Sequence, residues 1–202
     1  MKPIIIIGAN DFQNQLILEA KAMGYTTHVF AWQCGDIGER TADCFYPVSI
    51  VEKERILEIA RAIRPAGVCS IASDLAAITV NYVAEGLGLI GNGMVSAMTA
   101  TNKHLMRRAF ERAGLPSCRS ILVEEGMDLG ALPLKYPLIV KPTDRSGSRG
   151  IYKVTDPRSC PGPWRLPASR PLKKRSWQRN LPRAGSTAWN TSPGRGSTAS
   201  SP

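Results

Sequence analysis

The sequence predicts an α/β fold: a doubly wound parallel sheet over residues 1–100, an α+β unit over residues 101–157, and a disordered basic tail over residues 158–202. Three observations carry this. Short β-branched or apolar runs alternate with helical periodicity through the first 90 residues, the pattern of a parallel sheet with crossover helices. In YPLIVKPTDRSGSRGIYKV, residues 136–154, an apolar strand delivers Lys141 to the edge of a loop rich in Gly and Ser, and a second strand follows. The composition then changes at Pro157. Residues 1–157 hold 17 Lys and Arg against 16 Asp and Glu, whereas residues 158–202 hold nine Lys and Arg and no acid.

Each element has its own signal. Residues 3–7 are a continuous β-branched run, as in a strand buried on both faces. Residues 12–23 read as a helix closed by Gly24. Strands are expected at 25–32 and 43–48. The stretch 53–63 is helical, with Ile56, Leu57, Ile59, Ala60 and Ile63 on one side, and Pro65 ends it. A strand at 67–72, a helix at 75–85 and a short strand at 87–90 complete the first unit. Beyond Gly91, residues 95–99 form a helical turn. Thr101 or Asn102 caps a helix over 103–113, which stops at Gly114 ahead of Pro116. Strands are expected at 118–123 and 136–140.

In such sheets ligands meet the loops at the carboxyl ends of the strands. Gly8, Asn10 and Asp74 are therefore the candidate substrate-binding residues of the first unit. Gly8-Ala9-Asn10 reads as a tight strand-to-helix turn, because only the first glycine of the dinucleotide fingerprint G-x-G-x-x-G is present. Asp74 either hydrogen-bonds a ligand or caps the helix that starts at Leu75.

The second unit carries the clearer chemistry. An ammonium at a strand end is a point charge for a phosphate oxygen. Glycines let backbone N–H groups close on the anion. The candidate nucleotide-phosphate residues are Lys103, Lys141, Ser146, Gly147, Ser148, Arg149 and Gly150. Lys103 stands in the first turn of its helix, where a cation opposes the helix dipole, which points to an anionic partner. No residue is assigned to catalysis and none to a metal.

Taken together, TNKHLMRRAFERAGLP, YPLIVKP and DRSGSRGIYKV resemble the ATP-grasp superfamily. The preceding βα unit looks like its Rossmann-like pre-ATP-grasp domain. The carbamoyl-phosphate-synthase-like branch is the nearest in character, with biotin carboxylase and carboxyaminoimidazole ribonucleotide synthase also similar. The resemblance covers residues 1–157. It implies ATP as cofactor and ATP-dependent ligation: a small carboxylate substrate attacks the γ-phosphate, and an amine or thiol displaces phosphate from the acyl-phosphate. By the same resemblance Lys103 and Lys141 are the two phosphate lysines, and residues 146–150 are the flap over the β- and γ-phosphates. The family next needs an acidic adenine hinge, then Glu and Asn ligands for Mg²⁺, and no carboxylate side chain follows Asp156. Mg²⁺ is thus implied for the complete parent family only, and this chain is expected to be catalytically incompetent.

Pro, Gly and Ser fill 19 of the 45 positions in residues 158–202, too little apolar surface to offset chain entropy. Synonymous codons for this stretch, read one base back, spell E-L-P-G-A-V-A-A and then E-E-F-A-E-G-R-E-Y-S-V-E-Y-I-S-W. A shift of reading frame near residues 156–158 is the expected cause, with a natural basic tail or a different gene fused on as the alternatives. The alternative function is a non-catalytic nucleotide- or metabolite-binding α/β module. A basic tail that binds nucleic acid is the weaker idea, since no periodicity or aromatic interleaving supports it. Five cysteines without C-x-x-C spacing, and no leader segment, lead to an expected cytoplasmic location. The longest apolar run is too short to span a bilayer, so no membrane partner is expected.

Overall fold

A computed structural model describes residues 1–124, 127, 131–144, 150–156 and 159, and the backbone of 186–190. The chain divides into two compact units, Met1–Thr101 and Asn102–Pro202.

The first unit is a four-stranded parallel sheet of β1 (Lys2–Ile7), β2 (Tyr25–Phe30), β3 (Cys44–Tyr46) and β4 (Val68–Cys69), in the order β3-β2-β1-β4. Ile5, Ile6 and Ile7 have no exposed surface, because β1 is central and covered on both faces. Alternation sorts them. Ile5 and Ile7 join Phe30, Val48 and Val68 under α3 (Lys53–Ile63) and α4 (Asp74–Gly86), through Ile56, Ala60, Ala76 and Val83. Ile6 joins Val29, with Ile17 and Ala20 of α1 (Asp11–Ala22), on the opposite face. The chain runs outward from β1 to β2 and β3, then crosses to β4 on β1's other edge, so the topological switch point lies between β1 and β4.

Three sequence expectations change. Residues 87–90 form no strand. The Leu87 N–H closes α4 on Val83 and Ala84 oxygens at 3.1 and 3.2 Å, the Leu89 N–H returns to Ala84 O at 2.8 Å, and Gly88 takes φ +67°. The backbone there is spent on a helix terminus. The strand read over 67–72 is only two residues long, although Ile5 N to Gly67 O at 3.0 Å and Ser70 Oγ to Ile7 O at 2.6 Å extend its bonding to β1. A short helix, α2 (Ile37–Thr41), also escaped the periodicity reading. Its Gly38 N–H donates to Ala9 O at 2.9 Å, and a Cβ there would sit 2.5 Å from that oxygen. α5 (Met94–Thr101) ends the unit.

The second unit begins with α6 (Lys103–Arg112), capped by Asn102, whose side chain accepts from the N–H groups of His104 and Leu105. Its antiparallel sheet contains β5 (Ser120–Val123), β6 (Leu138–Pro142), β7 (Tyr152–Val154) and β8 (Ser186–Asn190), in the order β5-β8-β6-β7. Val123, Leu134, Leu138, Val140 and Val154 form its core. β8 corrects part of the disordered-tail expectation: Ser186–Asn190 pair with Ser120–Val123 on one side and Leu138–Pro142 on the other. Two open strand edges accept an extended segment through main-chain hydrogen bonds, whatever its side chains. The rest of the tail expectation lies outside the described residues, Ser159 excepted. Among the described residues no helix is long and apolar enough to cross a membrane.

A side-chain clasp sets where β2 and β3 meet the end of α1. Lys21 Nζ lies 2.8 Å from Asp43 Oδ1, and Thr27 N–H and Oγ1 each donate to Asp43 Oδ2 at 2.8 Å. The lysine first, then the Thr27 donors, pulls the Asp43 carboxyl from its ordinary 3.8 to about 2. A depressed folded pKa stabilises above the unfolded value and is lost as the pH falls through the folded one. Asp43 should therefore add stability above about pH 4 that disappears between pH 4 and 2. Both partners are about one-third exposed, so on the order of 1 kcal/mol is expected after solvent screening. Acid titration of the melting temperature should show this step in the native chain and not in Asp43→Asn. Gly38→Ala should destabilise the first unit by about 2 kcal/mol or more, because backbone and Ile17 Cδ1 close the space, as denaturant titration can measure.

Candidate functional site

The structure places the phosphate candidates of the second unit on two elements fastened to each other. The Lys103 N–H donates to Thr143 O at 2.8 Å, joining the first turn of α6 to the chain just past β6. Period-two alternation turns Leu138 and Val140 into the core and puts Lys141 on the other face, half-buried. Arg107 stands one helical turn beyond Lys103, on the same face of α6. Its Nη1 donates to Ser117 Oγ at 2.9 Å, and its guanidinium carbon lies 5.8 Å from the Phe110 ring centroid. Arg107, Arg108, Arg119, Ser117 and Cys118 line a cleft of about 400 Å³, with Glu111 opposing them.

The electrostatics are those of a cation cluster. Burial is the main force pushing the Lys141 pKa down from 10.5, and the positive charges of Arg107 and Lys103 add to it; Cys118 acts the other way. Cations gathered within reach of one another favour an anion among them. Of the loop candidates only Gly150 is described. It takes φ +76°, and a Cβ there would meet Pro142 Cγ at 3.0 Å, so a side chain at this position would press on the end of β6. Ser146, Gly147, Ser148 and Arg149 lie outside the described residues. Arg107 is absent from the sequence-based candidates, although its i, i+4 spacing from Lys103 is a usable signal.

In the first unit, Gly8 follows β1 and Asp74 follows β4. These strands are parallel neighbours, so both residues stand at their carboxyl ends. Gly8 takes φ +104° and donates its N–H to Phe30 O at 2.8 Å. Asn10 serves the fold itself, since its Oδ1 accepts the Phe12 N–H at 2.9 Å and caps α1. The cap of α4 is Ser73, whose Oγ accepts the Ala76 N–H at 3.2 Å. That settles the capping alternative for Asp74 and leaves its carboxylate exposed on the rim. Gln13 is a second residue that the sequence reading missed. It occupies the third position of the G-x-G-x-x-G spacing and is 2% exposed.

Among the described residues no group of three or more His, Cys, Asp or Glu is arranged to hold a metal ion. No carboxylate side chain follows Asp156.

No family model matches the chain. Among curated proteins it is similar to the alanine–anticapsin ligase of Bacillus subtilis (strain 168), 39% identical over 74 residues, 36% of this chain and 16% of that one. It is also similar to the D-alanine–D-alanine ligase of Nitrosospira multiformis, 32% identical over 94 residues, 45% and 31% of the two chains. The chain thus matches less than a third of the length of these relatives. Its fold matches the crystal structure of L-amino acid ligase from Bacillus licheniformis, with TM-score 0.71 at 21% identity over 94% of this chain and 46% of that one. N5-carboxyaminoimidazole ribonucleotide synthetase from Thermotoga maritima gives TM-score 0.64 at 15% identity, again over 94% and 46%.

Because Lys141 is charged at a cost, removing its charge should relieve the ligand-free protein. Its folded pKa lies below 10.5, so the unfolded state holds the proton more tightly, and stability rises with pH through that interval. Lys141→Met should raise the melting temperature at pH 7 and flatten this alkaline rise. Inorganic tripolyphosphate should stabilise the native chain more than the variant, as thermal shift can measure.

Proposed function

Since the chain belongs to the ATP-grasp superfamily, we propose that it is the nucleotide-phosphate half of an ATP-dependent ligase that joins a small carboxylate to an amine or thiol. Lys103, Lys141 and the loop 146–150 hold the phosphates in this reading, and Gly8, Asn10 and Asp74 belong to the substrate side. The observation that carries it is the fastening of α6 to the end of β6, which gathers Lys103, Arg107 and Lys141 about one anion-seeking place.

ATP would supply the γ-phosphoryl group that activates the carboxylate. The chain's own contribution is to neutralise phosphate charge. Without metal carboxylates the developing charge of phosphoryl transfer has no adequate counter-charge. This chain therefore binds ATP weakly and does not turn it over.

ADP release by the 202-residue chain, beside a protein in which the frame near residues 156–158 is shifted by one base and the downstream sequence supplied, tests the reading. The short chain should release no ADP. The repaired protein should bind and hydrolyse ATP, and Lys141→Ala in it should weaken both by about ten-fold or more, while its circular dichroism is unchanged. Magnesium-dependent turnover by the short chain would overturn the half-site argument. Affinity for ATP in both proteins with turnover in neither would favour a non-catalytic nucleotide-binding module.

A further inference from the structure

The cleft at the end of α6 is a second place with a chemistry suited to an anion. Neither Lys103 nor Lys141 lines it, and Arg107 is the wall it shares with the lysine cluster. The way α6 ends builds it. The Gly114 N–H returns to Glu111 O at 3.1 Å and the Leu115 N–H to Phe110 O at 3.0 Å, with Gly114 at φ +67°, so the helix closes and the chain turns toward β5. Arg107 Nη1, donating to Ser117 Oγ at 2.9 Å, ties the outgoing segment back to the helix. The space enclosed, about 400 Å³, is that of a small-molecule site.

The lining sets the charge of the ligand. Arg107, Arg108 and Arg119 line the cleft with one acid, Glu111. That acid is engaged with Arg108, whose Nη1 lies 3.0 Å from Glu111 Oε2. Arg119 is exposed and has no ion-pair partner among the described residues. Three guanidinium charges against one carboxylate leave +2, which a dianion neutralises. A guanidinium fork meets a carboxylate through two parallel N–H···O bonds. Leu115, Ile121 and Leu134 supply the apolar part of the lining. A hydrocarbon spacer between two carboxylates can cover that surface, whereas a compact phosphate would leave it to water.

We propose that this cleft binds a small dicarboxylate, its two charges held by Arg107, Arg108 and Arg119 and its spacer laid on Leu115 and Ile121. Because neither phosphate lysine lines the cleft, the ligand is not the carboxylate activated in the ligase reading, and the assignment stands without that reading.

Calorimetric titration of the full chain with glutarate, without nucleotide and at low ionic strength so that exposed arginines are not screened, tests it. Glutarate should bind, whereas butyrate, with one carboxylate, and inorganic phosphate should each bind about ten-fold more weakly or worse. Glutaramide, the neutral diamide, should not bind. Arg119→Gln changes an exposed side chain and should lose about ten-fold in glutarate affinity with circular dichroism unchanged. The place of binding is read in the native chain. Cys118 lines the cleft and is exposed, and Cys34, exposed in the first unit, is the internal control. Glutarate should slow alkylation of Cys118 by iodoacetamide and leave that of Cys34 unchanged, as peptide mass mapping can follow. No binding of glutarate, equal binding of glutaramide or phosphate, full affinity in Arg119→Gln, or unprotected Cys118 at saturation would each overturn the proposal.

Discussion

The pairing of β1 on both edges and the burial of both its faces is the constraint on which the first unit depends. Ile5 and Ile7 need one layer of helices, and Ile6 needs another. A strand with apolar residues on every position cannot sit at an edge or face water. With β1 central, β2 lies on one side of it and β4 on the other. The gap between the ends of β1 and β4 follows without further instruction. Gly8 and Asp74 stand at the carboxyl ends of these strands because of it, and Gly38 approaches Ala9 too closely for a side chain.

The second unit is governed by a different balance. Its core is small: among the described residues, five buried side chains on one face of a four-stranded sheet. On the other face, the fold brings like charges together and partly desolvates one of them. Like charges held together away from water weaken the protein that carries them, a cost that functional sites commonly bear.

β8 shows how far topology can act against composition. Nothing in Ser186–Asn190 announces a strand, and the surrounding 45 residues have the make-up of an unfolded tail. β5 and β6 are not paired to each other, so each presents an open edge, and the segment that joins them need supply only backbone N–H and C=O groups in extended conformation.

Much of the architecture was legible along the chain because it is local. The β-branched run of β1, the apolar stripe of α3, the cap at Asn102 and the lysine at the end of an apolar strand are each written within a few residues, and their spacing specifies strand, helix and cap. What the tertiary structure decided are matters of contact between distant segments. Residues 87–90 have strand-like composition, but α4 uses their backbone to close itself. Arg107 joins the lysines only because α6 is bonded to the end of β6. Gln13 reads as an ordinary polar helix residue until the return of β4 buries its amide against Gly8 and Ile71. Periodicity reports which face a residue takes on its own element; which other element that face meets is set by strand order and crossover, and no single stretch of sequence contains it.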